Sequence, residues 1–151
     1  KYEMRNLDGG ILVQQENNDI LKIDELKVVT NTKPTEDTIK SMLFGWQVLK
    51  HVKSNAIITV KDNTTVGIGA GQVSRIDAVD IAISKSKTAI KGSILCSDAF
   101  FPFRDSIDKI SQYNINGVIQ PGGSIKDNEV IDACNEHNIP MVFTGRRCFK
   151  H

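Results

Sequence analysis

The chain has 151 residues, of which 40% are hydrophobic and 25% are charged, and this fits one domain with one hydrophobic core. The formal net charge is +1 without a long basic or acidic run, which argues against a nucleic-acid partner, a membrane-surface partner and a disordered tail. Three widely spaced cysteines without a CxxC pair favour reduced thiols in a cytoplasmic protein, and they argue against a disulfide framework and a zinc site.

We expect neither a signal peptide at the start of this sequence nor a membrane-spanning segment within it. No apolar run approaches the length of a membrane-spanning helix, and the first residues, KYEMRNLDGG, have neither an apolar signal core nor an initiator Met. We therefore expect a piece of a longer cytoplasmic protein. Since no repeat, linker or low-complexity tract interrupts it, we expect residues 1–151 to form one domain.

The first third of the chain predicts two strands and an amphipathic helix. GGILVQQ and LKVVT, at 26–30, read as strands, and Thr35 is a plausible N-cap because two acidic residues follow it. Apolar residues then recur at steps of three and four, which predicts a helix with one face in the core. These residues are Ile39, Met42, Leu43, Trp46, Leu49 and Val52.

A hairpin and a second helix are predicted next. AIITV at 56–60 and TTVGIG at 64–69 are β-branched, and Asp62-Asn63 between them predicts a turn. Ser74, followed three residues later by Asp77, fits a capping box that opens the helix.

The remainder alternates between apolar strands and helix-length segments. Strands are predicted at 93–97, 117–121 and 140–144, with helices at about 103–113 and 126–137. Because the strands lack polar alternation, we expect a sheet covered by helices on both faces.

VGIGAGQVS is the first candidate site, because glycines after a strand let backbone N–H groups approach a phosphate. The spacing is GxGxG, and Gln72 stands where the third glycine of the dinucleotide fingerprint belongs. No Gly-Lys-Ser/Thr follows for a P-loop. Two interpretations of this segment therefore remain open: a plain tight turn and a nucleotide-binding loop.

Lys50-His51 resembles an acid/base pair, since neighbouring cations lower each other's pKa. The pair also stands at the end of a predicted helix, where cations interact favourably with the last carbonyls, and this interpretation is the stronger one. Asn55 lies just before an apolar strand, and its amide offers a hydrogen-bond donor and an acceptor at the start of that strand.

Two further segments combine aromatic and charged residues. SDAFFPFRDS, at 97–106, suits a flat heteroaromatic ligand, and the glycines of QPGGS precede Ser124, which is placed to cap a helix or donate to a ligand. The C-terminal TGRRCFKH is either a frayed basic tail or a phosphate site, because guanidinium binds phosphate bidentately and Phe149 could stack on a base.

Several long motifs, in this order, resemble one known family. KHVKSNAIITV, VGIGAGQVSRID, SDAFFPFRDSID, GVIQPGGSIKDNEVIDACNEHNIPMVFTG and the final RxFxH are similar to the C-terminal part of the bifunctional AICAR transformylase/IMP cyclohydrolases of purine biosynthesis. The resemblance runs from about Gly9 to the end. It implies an α/β fold, namely a three-layer α/β/α cytidine-deaminase-like subdomain with a mixed, mostly parallel sheet and without zinc.

The implied reaction transfers a formyl group from the cosubstrate 10-formyltetrahydrofolate to the 5-amino group of AICAR. Asn55 is implied as a catalytic residue. The residues implied in AICAR binding are Asn55, Phe100, Arg147 and Phe149, with Arg147 at the phosphate. The residues implied in folate binding are Arg75, Ile76, Pro102, Phe103, Asp105 and Ser124, with Phe100 adjoining and Asp105 facing the pterin.

The resemblance also implies that the chain holds half a site. The family's catalytic Lys-His pair belongs to an upstream subdomain. The resemblance implies that this subdomain and the IMP cyclohydrolase domain are absent here. Lys50-His51 is then not the catalytic pair. A homodimer that shares the site across its interface, and a monovalent cation such as K⁺ near Asp98, are further implications. Arg146 and Cys148 depart from the family's usual tail. The alternative from another class is a non-enzymatic nucleotide-binding or regulatory domain that uses the Gly67–Gly71 loop.

Overall fold

Eight strands and four α-helices make up the fold in the computed structural model, which describes all 151 residues. The strands are β1 (Tyr2–Leu7), β2 (Gly10–Gln15), β3 (Lys27–Val28), β4 (Ile57–Lys61), β5 (Thr64–Gly69), β6 (Ile94–Ser97), β7 (Gly117–Gln120) and β8 (Met141–Phe143). The helices are α1 (Glu36–Leu49), α2 (Arg75–Ser86), α3 (Asp105–Ser111) and α4 (Asp127–Glu136). From α1 onward, every predicted strand and helix is present, with ends that shift by only a few residues.

Six of the strands form one mixed sheet in the order β3-β8-β7-β6-β4-β5. The three central strands β6, β7 and β8 are parallel to one another, whereas β3, β4 and β5 pair antiparallel with their neighbours. The parallel pairs are those connected through α3 and α4, since a parallel connection needs a crossover. The carboxyl ends of β6 and β7 therefore open on the same edge of the sheet.

Helices cover both faces of this sheet, as the continuous apolar strands predicted. Successive strand residues point to opposite faces, so Ile57 packs in a core cluster with α2, α3 and α4, while Ile58 packs in a second cluster with α1. The result is a three-layer α/β/α arrangement. No helix has the length and apolar character needed to cross a membrane.

The start and the buried face of α1 were both predicted correctly. The Thr35 hydroxyl accepts a hydrogen bond from the Thr38 N–H at 3.2 Å, which satisfies one of the free donors of the first turn. Met42, Trp46 and Leu49 are buried from the predicted stripe. Burying one such side chain stabilises the fold by about 1.5–3 kcal/mol.

The predicted hairpin of β4 and β5 turns at Asp62 and Asn63, which both have positive φ, of 49° and 53°. Two such residues are what a tight two-residue hairpin turn requires. Close packing against α2 explains why β5 contains glycines. A side chain at Gly67 or Gly69 would collide with backbone carbonyl oxygens of α2, so these glycines let the helix lie directly against the strand.

The predicted capping box of α2 does not form. Ser74 precedes the helix as expected, but its side chain makes no capping hydrogen bond. The start of α2 is instead fixed by Arg75, which is buried and whose guanidinium donates to Ala56, just before β4, and to Asp98 in the loop after β6.

The N-terminal segment differs from the prediction of one strand. β1 and β2 form an antiparallel hairpin that turns at Asp8-Gly9 and lies outside the main sheet. Its apolar residues, such as Met4 and Ile11, stay exposed. LKVVT is likewise shorter than predicted, since only Lys27–Val28 pairs.

The three cysteines are free, as their spacing predicted, and the structure shows that all three are buried. Burial raises the pKa of all three thiols, that of Cys134 to about 12. Since the thiolate is the reactive form, these groups act as small core side chains.

Candidate functional site

A shallow cleft lies where β6 ends and α2 begins. Its volume is about 260 Å³. Four stretches of chain meet there: the segment before β4, the loop before α2, the aromatic loop (residues 98–104) after β6, and the C-terminal tail (residues 145–151). The lining residues are Asn55, Val73, Arg75, Ala99, Phe100, Pro102, Arg147 and Phe149.

A buried ion pair forms the floor of the cleft. Asp98 is fully buried and Arg75 is 8% exposed. Nη1 of Arg75 donates to the Asp98 carboxylate and, at 3.0 Å, to the Ala56 carbonyl oxygen. The second carboxylate oxygen of Asp98 accepts from the Ser54 hydroxyl at 2.5 Å and from the Ala56 N–H at 3.1 Å. Both buried charges are therefore paired and hydrogen-bonded, which is the condition for tolerating them.

The same ion pair fixes the amide of Asn55. Nη2 of Arg75 donates to Oδ1 of Asn55 at 2.9 Å, and Nδ2 of Asn55 donates to the carbonyl oxygens of Gln72 and Val73 at 2.9 and 3.0 Å. Both amide donors are thus in use. A carbonyl oxygen has two lone pairs, so Oδ1 retains one acceptor site for a ligand.

Three of the predicted AICAR-binding residues meet on one wall. The guanidinium carbon of Arg147 lies 4.9 Å from the ring centroid of Phe100 and 5.7 Å from that of Phe149. Stacking on two rings holds the guanidinium in place, while its N–H edge stays available because Arg147 is exposed.

The tail that carries Arg147 and Phe149 is attached to the rest of the fold. The Cys148 N–H donates to the Asp98 carbonyl at 3.2 Å, the Lys150 N–H donates to the Ser54 hydroxyl at 3.0 Å, and the Ser54 N–H donates to the Lys150 carbonyl at 2.9 Å. The alternative of a frayed tail is therefore wrong.

The predicted folate-binding residues do not all meet. Pro102 and Arg75 line the cleft, but Ile76 packs against the core. Phe103 is 53% exposed beside α4, with Nζ of Lys126 4.9 Å from its ring centroid.

Two more predicted folate-binding residues lie at helix starts. Asp105 is the first residue of α3 and exposed, and its Oδ1 accepts from the Ser106 N–H at 2.7 Å. The Ser124 hydroxyl accepts from the Lys126 N–H at 3.1 Å, just before α4. The structure therefore places Arg75 and Pro102 in the cleft, whereas Phe103, Asp105 and Ser124 lie outside its lining.

Lys50-His51 stands outside the cleft. α1 ends at Leu49, Lys50 is its C-cap, and Nζ of Lys50 donates to the Asp19 carbonyl at 3.2 Å. Both residues line another depression, bordered by Phe149 and Lys150. The interpretation as a helix C-terminus is confirmed.

Sequence reasoning missed Ser54, Val73 and Lys126. Ser54 joins Asp98 to the tail, Val73 stands at the cleft rim with 99% exposure, and Lys126 covers Phe103. Val73 is a single apolar residue between polar neighbours, and such residues are common on protein surfaces, so the sequence alone does not mark it. Ser54 and Lys126 act across long sequence separations, and nothing near them in the sequence indicates this.

Comparison with known proteins identifies the family. The family model described as AICARFT/IMPCHase bienzyme matches residues 1–85 of the chain, which is more than half of it. The chain belongs to this family. The AICARFT/IMPCHase match includes the segment before β4 and the loop before α2, which form two of the four sides of the cleft.

Relatives in the family are similar over the whole chain. Proteins named bifunctional purine biosynthesis protein PurH are 52% identical in Persephonella marina and 50% identical in Aquifex aeolicus, each over 99% of this chain. The PurH of Clostridium perfringens strain 13 is 54% identical over 100% of it. The chain spans only 29–30% of the length of these relatives.

Among solved structures, one form of RibD from Acinetobacter baumannii aligns with 70% of this chain and 33% of its own. The TM-score is 0.46 and the sequence identity 14%. A similarity this weak supports no conclusion.

Proposed function

We propose that the protein containing this chain transfers a formyl group from 10-formyltetrahydrofolate to AICAR in purine biosynthesis and is also an IMP cyclohydrolase. The observation that carries the proposal is the cleft: in a chain of this family, Arg147, Phe100 and Phe149 converge beside Asn55. These groups suit a planar heterocycle that bears a carboxamide and a phosphate.

Each AICAR group has a partner in this proposal. The N–H edge of Arg147 binds the phosphate, because a planar guanidinium donates two parallel hydrogen bonds to an oxyanion. Phe100 and Phe149 contact the heterocycle. The remaining lone pair of Asn55 Oδ1 accepts from the carboxamide, and the bonds from Arg75 and to Gln72 and Val73 keep it in one orientation. Arg75 thus acts on AICAR through Asn55.

The cleft is half of the proposed site. Its volume of about 260 Å³ lies below the range of about 300–1,000 Å³ typical of pockets that enclose a ligand. Other parts of the protein, or a second copy in a homodimer, complete it in this proposal. The Lys-His pair that removes the proton from the attacking amine is among those parts, and Lys50-His51 has no role in the chemistry. The isolated chain is then inactive.

The folate binds along the aromatic loop in this proposal. Pro102 and Phe103 contact the pterin, Arg75 and Ile76 line the folate side, Ser124 lies nearby, and Asp105 accepts from the ring N–H groups of the pterin. Oδ1 of Asp105 already accepts from Ser106, so Oδ2 is the free acceptor.

A monovalent cation such as K⁺ near Asp98 belongs to the same proposal. The residues present fit such an ion in kind, because carboxylate, hydroxyl and carbonyl oxygens are the ligands of hard cations. Asp98, the Ser54 hydroxyl and the Lys150 carbonyl supply these oxygens within one hydrogen-bonded group. We also expect a cytoplasmic protein, given its three free thiols.

The test is formylation of AICAR by the full-length protein and by two variants. Arg147→Ala is expected to weaken AICAR binding by about 1.5–3 kcal/mol, the worth of a hydrogen bond to a charged group, and to leave folate binding unchanged. Asp105→Ala is expected to do the reverse. Arg5→Ala, an exposed arginine of β1, is the matched control and is expected to change neither. Equal losses for both ligands in both variants would contradict the assignment.

The non-enzymatic nucleotide-binding domain is the competing outcome. Calorimetry with ATP, NAD, AICAR and a folate analogue separates the two functions. Tight binding of ATP or NAD without a response to AICAR or folate would favour the glycine loop. The packing of Gly67 and Gly69 against α2 already accounts for these glycines without a phosphate.

A further inference from the structure

The guanidinium of Arg104 makes four hydrogen bonds to acidic side chains near the surface. Arg104 follows Phe103 in the aromatic loop, and it donates to both carboxylate oxygens of Asp108 in α3, at 2.9 and 3.0 Å. It also donates to both carboxylate oxygens of Glu136, the last residue of α4, at 3.3 and 2.5 Å. The loop, α3 and α4 are therefore joined through one side chain.

The segment at Phe103 and Arg104 contacts both ends of α4. Phe103 lies under Nζ of Lys126, just before the helix begins, while Arg104 reaches Glu136 at its last residue. A helix of this length is about 15 Å long. The two neighbouring side chains must therefore extend in opposite directions along α4, which restrains the loop segment between them.

This network differs from an ordinary surface salt bridge. A single exposed pair contributes little, because holding two long side chains in one geometry costs entropy. Here one guanidinium serves two carboxylates bidentately, and the geometry of both pairs is fixed by the planar fork. Hydrogen bonding from Arg104, with a further bond from His137, lowers the pKa of Asp108 to about 2, and bonding from Arg104 also lowers the pKa of Glu136.

We propose that Arg104, anchored by Glu136, is a positioning residue that holds Phe103 along α4 in the orientation in which it contacts the folate. This inference rests on the proposed function for the identity of the ligand. The restraint of the loop by Arg104 and Glu136 does not depend on it. Arg104 itself touches no ligand in this proposal, since all its bonds go to Asp108 and Glu136.

Glu136→Ala in the full-length protein is the decisive variant. It removes the anchor on α4, and alanine keeps the helix intact because it is the best helix former. Asp80→Ala is the matched control. Asp80 is also an acidic helix residue in an exposed ion pair, between α2 and Lys109 of α3, but it does not touch the aromatic loop. Arg104→Lys, which keeps the charge and loses the fork, is expected to fall between wild type and Glu136→Ala.

Two measurements test whether Glu136→Ala loosens the aromatic loop and weakens folate binding. The rate of chymotrypsin cleavage after Phe103 reports local opening of the loop without any ligand, and it is expected to rise at least about threefold in Glu136→Ala and to stay unchanged in Asp80→Ala. The KM for 10-formyltetrahydrofolate is expected to rise about threefold to tenfold in Glu136→Ala, with kcat and the KM for AICAR unchanged.

The outcomes separate the two proposals. An unchanged cleavage rate overturns the positioning role, whatever the activity. Faster cleavage with an unchanged KM for folate in an active enzyme also overturns it, because the network is then only structural. If the wild-type protein does not formylate AICAR, the proposed function fails and the folate part of this inference fails with it. The cleavage rates then still decide whether Arg104 and Glu136 hold the loop.

Discussion

The ion pair of Arg75 and Asp98 is expected to be the most sensitive polar feature of the fold. Asp98→Ala removes the acceptor of three donors: the Arg75 guanidinium, the Ser54 hydroxyl and the Ala56 N–H. Arg75 would remain as a buried charge with 8% exposure. Breaking a buried pair from one side costs about 3–5 kcal/mol. A domain of this kind has about 5–15 kcal/mol in total, so the loss is a large share of it.

Urea unfolding at pH 7, followed by fluorescence, measures this loss. Trp46 is the only tryptophan and is 3% exposed, so its emission reports the loss of the core that α1 forms with the sheet. Linear extrapolation gives the free energy of unfolding. Asp80→Ala serves again as the control, because its exposed pair is worth at most about 1 kcal/mol.

A second variant keeps the test decisive if Asp98→Ala does not fold. Asp98→Asn retains one side-chain oxygen, and it is expected to cost about 1–3 kcal/mol because part of the acceptor capacity survives. A loss below about 1 kcal/mol for Asp98→Ala would refute the reasoning. It would mean that water or a rearranged Arg75 replaces the carboxylate, and that the floor of the cleft does not depend on the pair.

The remaining predictions concern acid stability and strand packing. The pKa of Asp108 is lowered from 3.8 to about 2 in the fold, so its stabilising contribution is fully present above about pH 4 and is lost as the pH falls towards 2. Urea midpoints are expected to fall more steeply over that range in wild type than in Asp108→Asn, and parallel curves would contradict this. Gly69→Ala is expected to destabilise the fold by about 1–3 kcal/mol, because the added methyl group meets the carbonyl of Ala78 in α2. Gly10→Ala has open space around it and is expected to cost less than about 0.5 kcal/mol in the same urea titration, and equal costs would contradict the packing role of Gly69.

The local signals in the sequence predict most of the fold. Periodicity and capping locate α1 from Thr35 onward, and Asp62-Asn63 marks the β4–β5 turn, because these features depend on residues within one turn or one hairpin of each other. The long motifs also indicate the family. The strand β1 is missed although Tyr2 and Met4 alternate with polar residues, because so short an alternation is weak evidence when no partner strand is identified for it.

The site depends on contacts between residues far apart in the chain. Arg75 and Asp98 are 23 positions apart, Arg104 and Glu136 are 32 apart, and Ser54 and Lys150 are 96 apart. The local sequence does not show which acidic residue pairs with each arginine. That choice is decided by how the strands and helices pack. Only the sheet order places the end of β6, the start of α2 and the tail side by side. The packed fold, and not the motifs, turns these separate residues into one cleft.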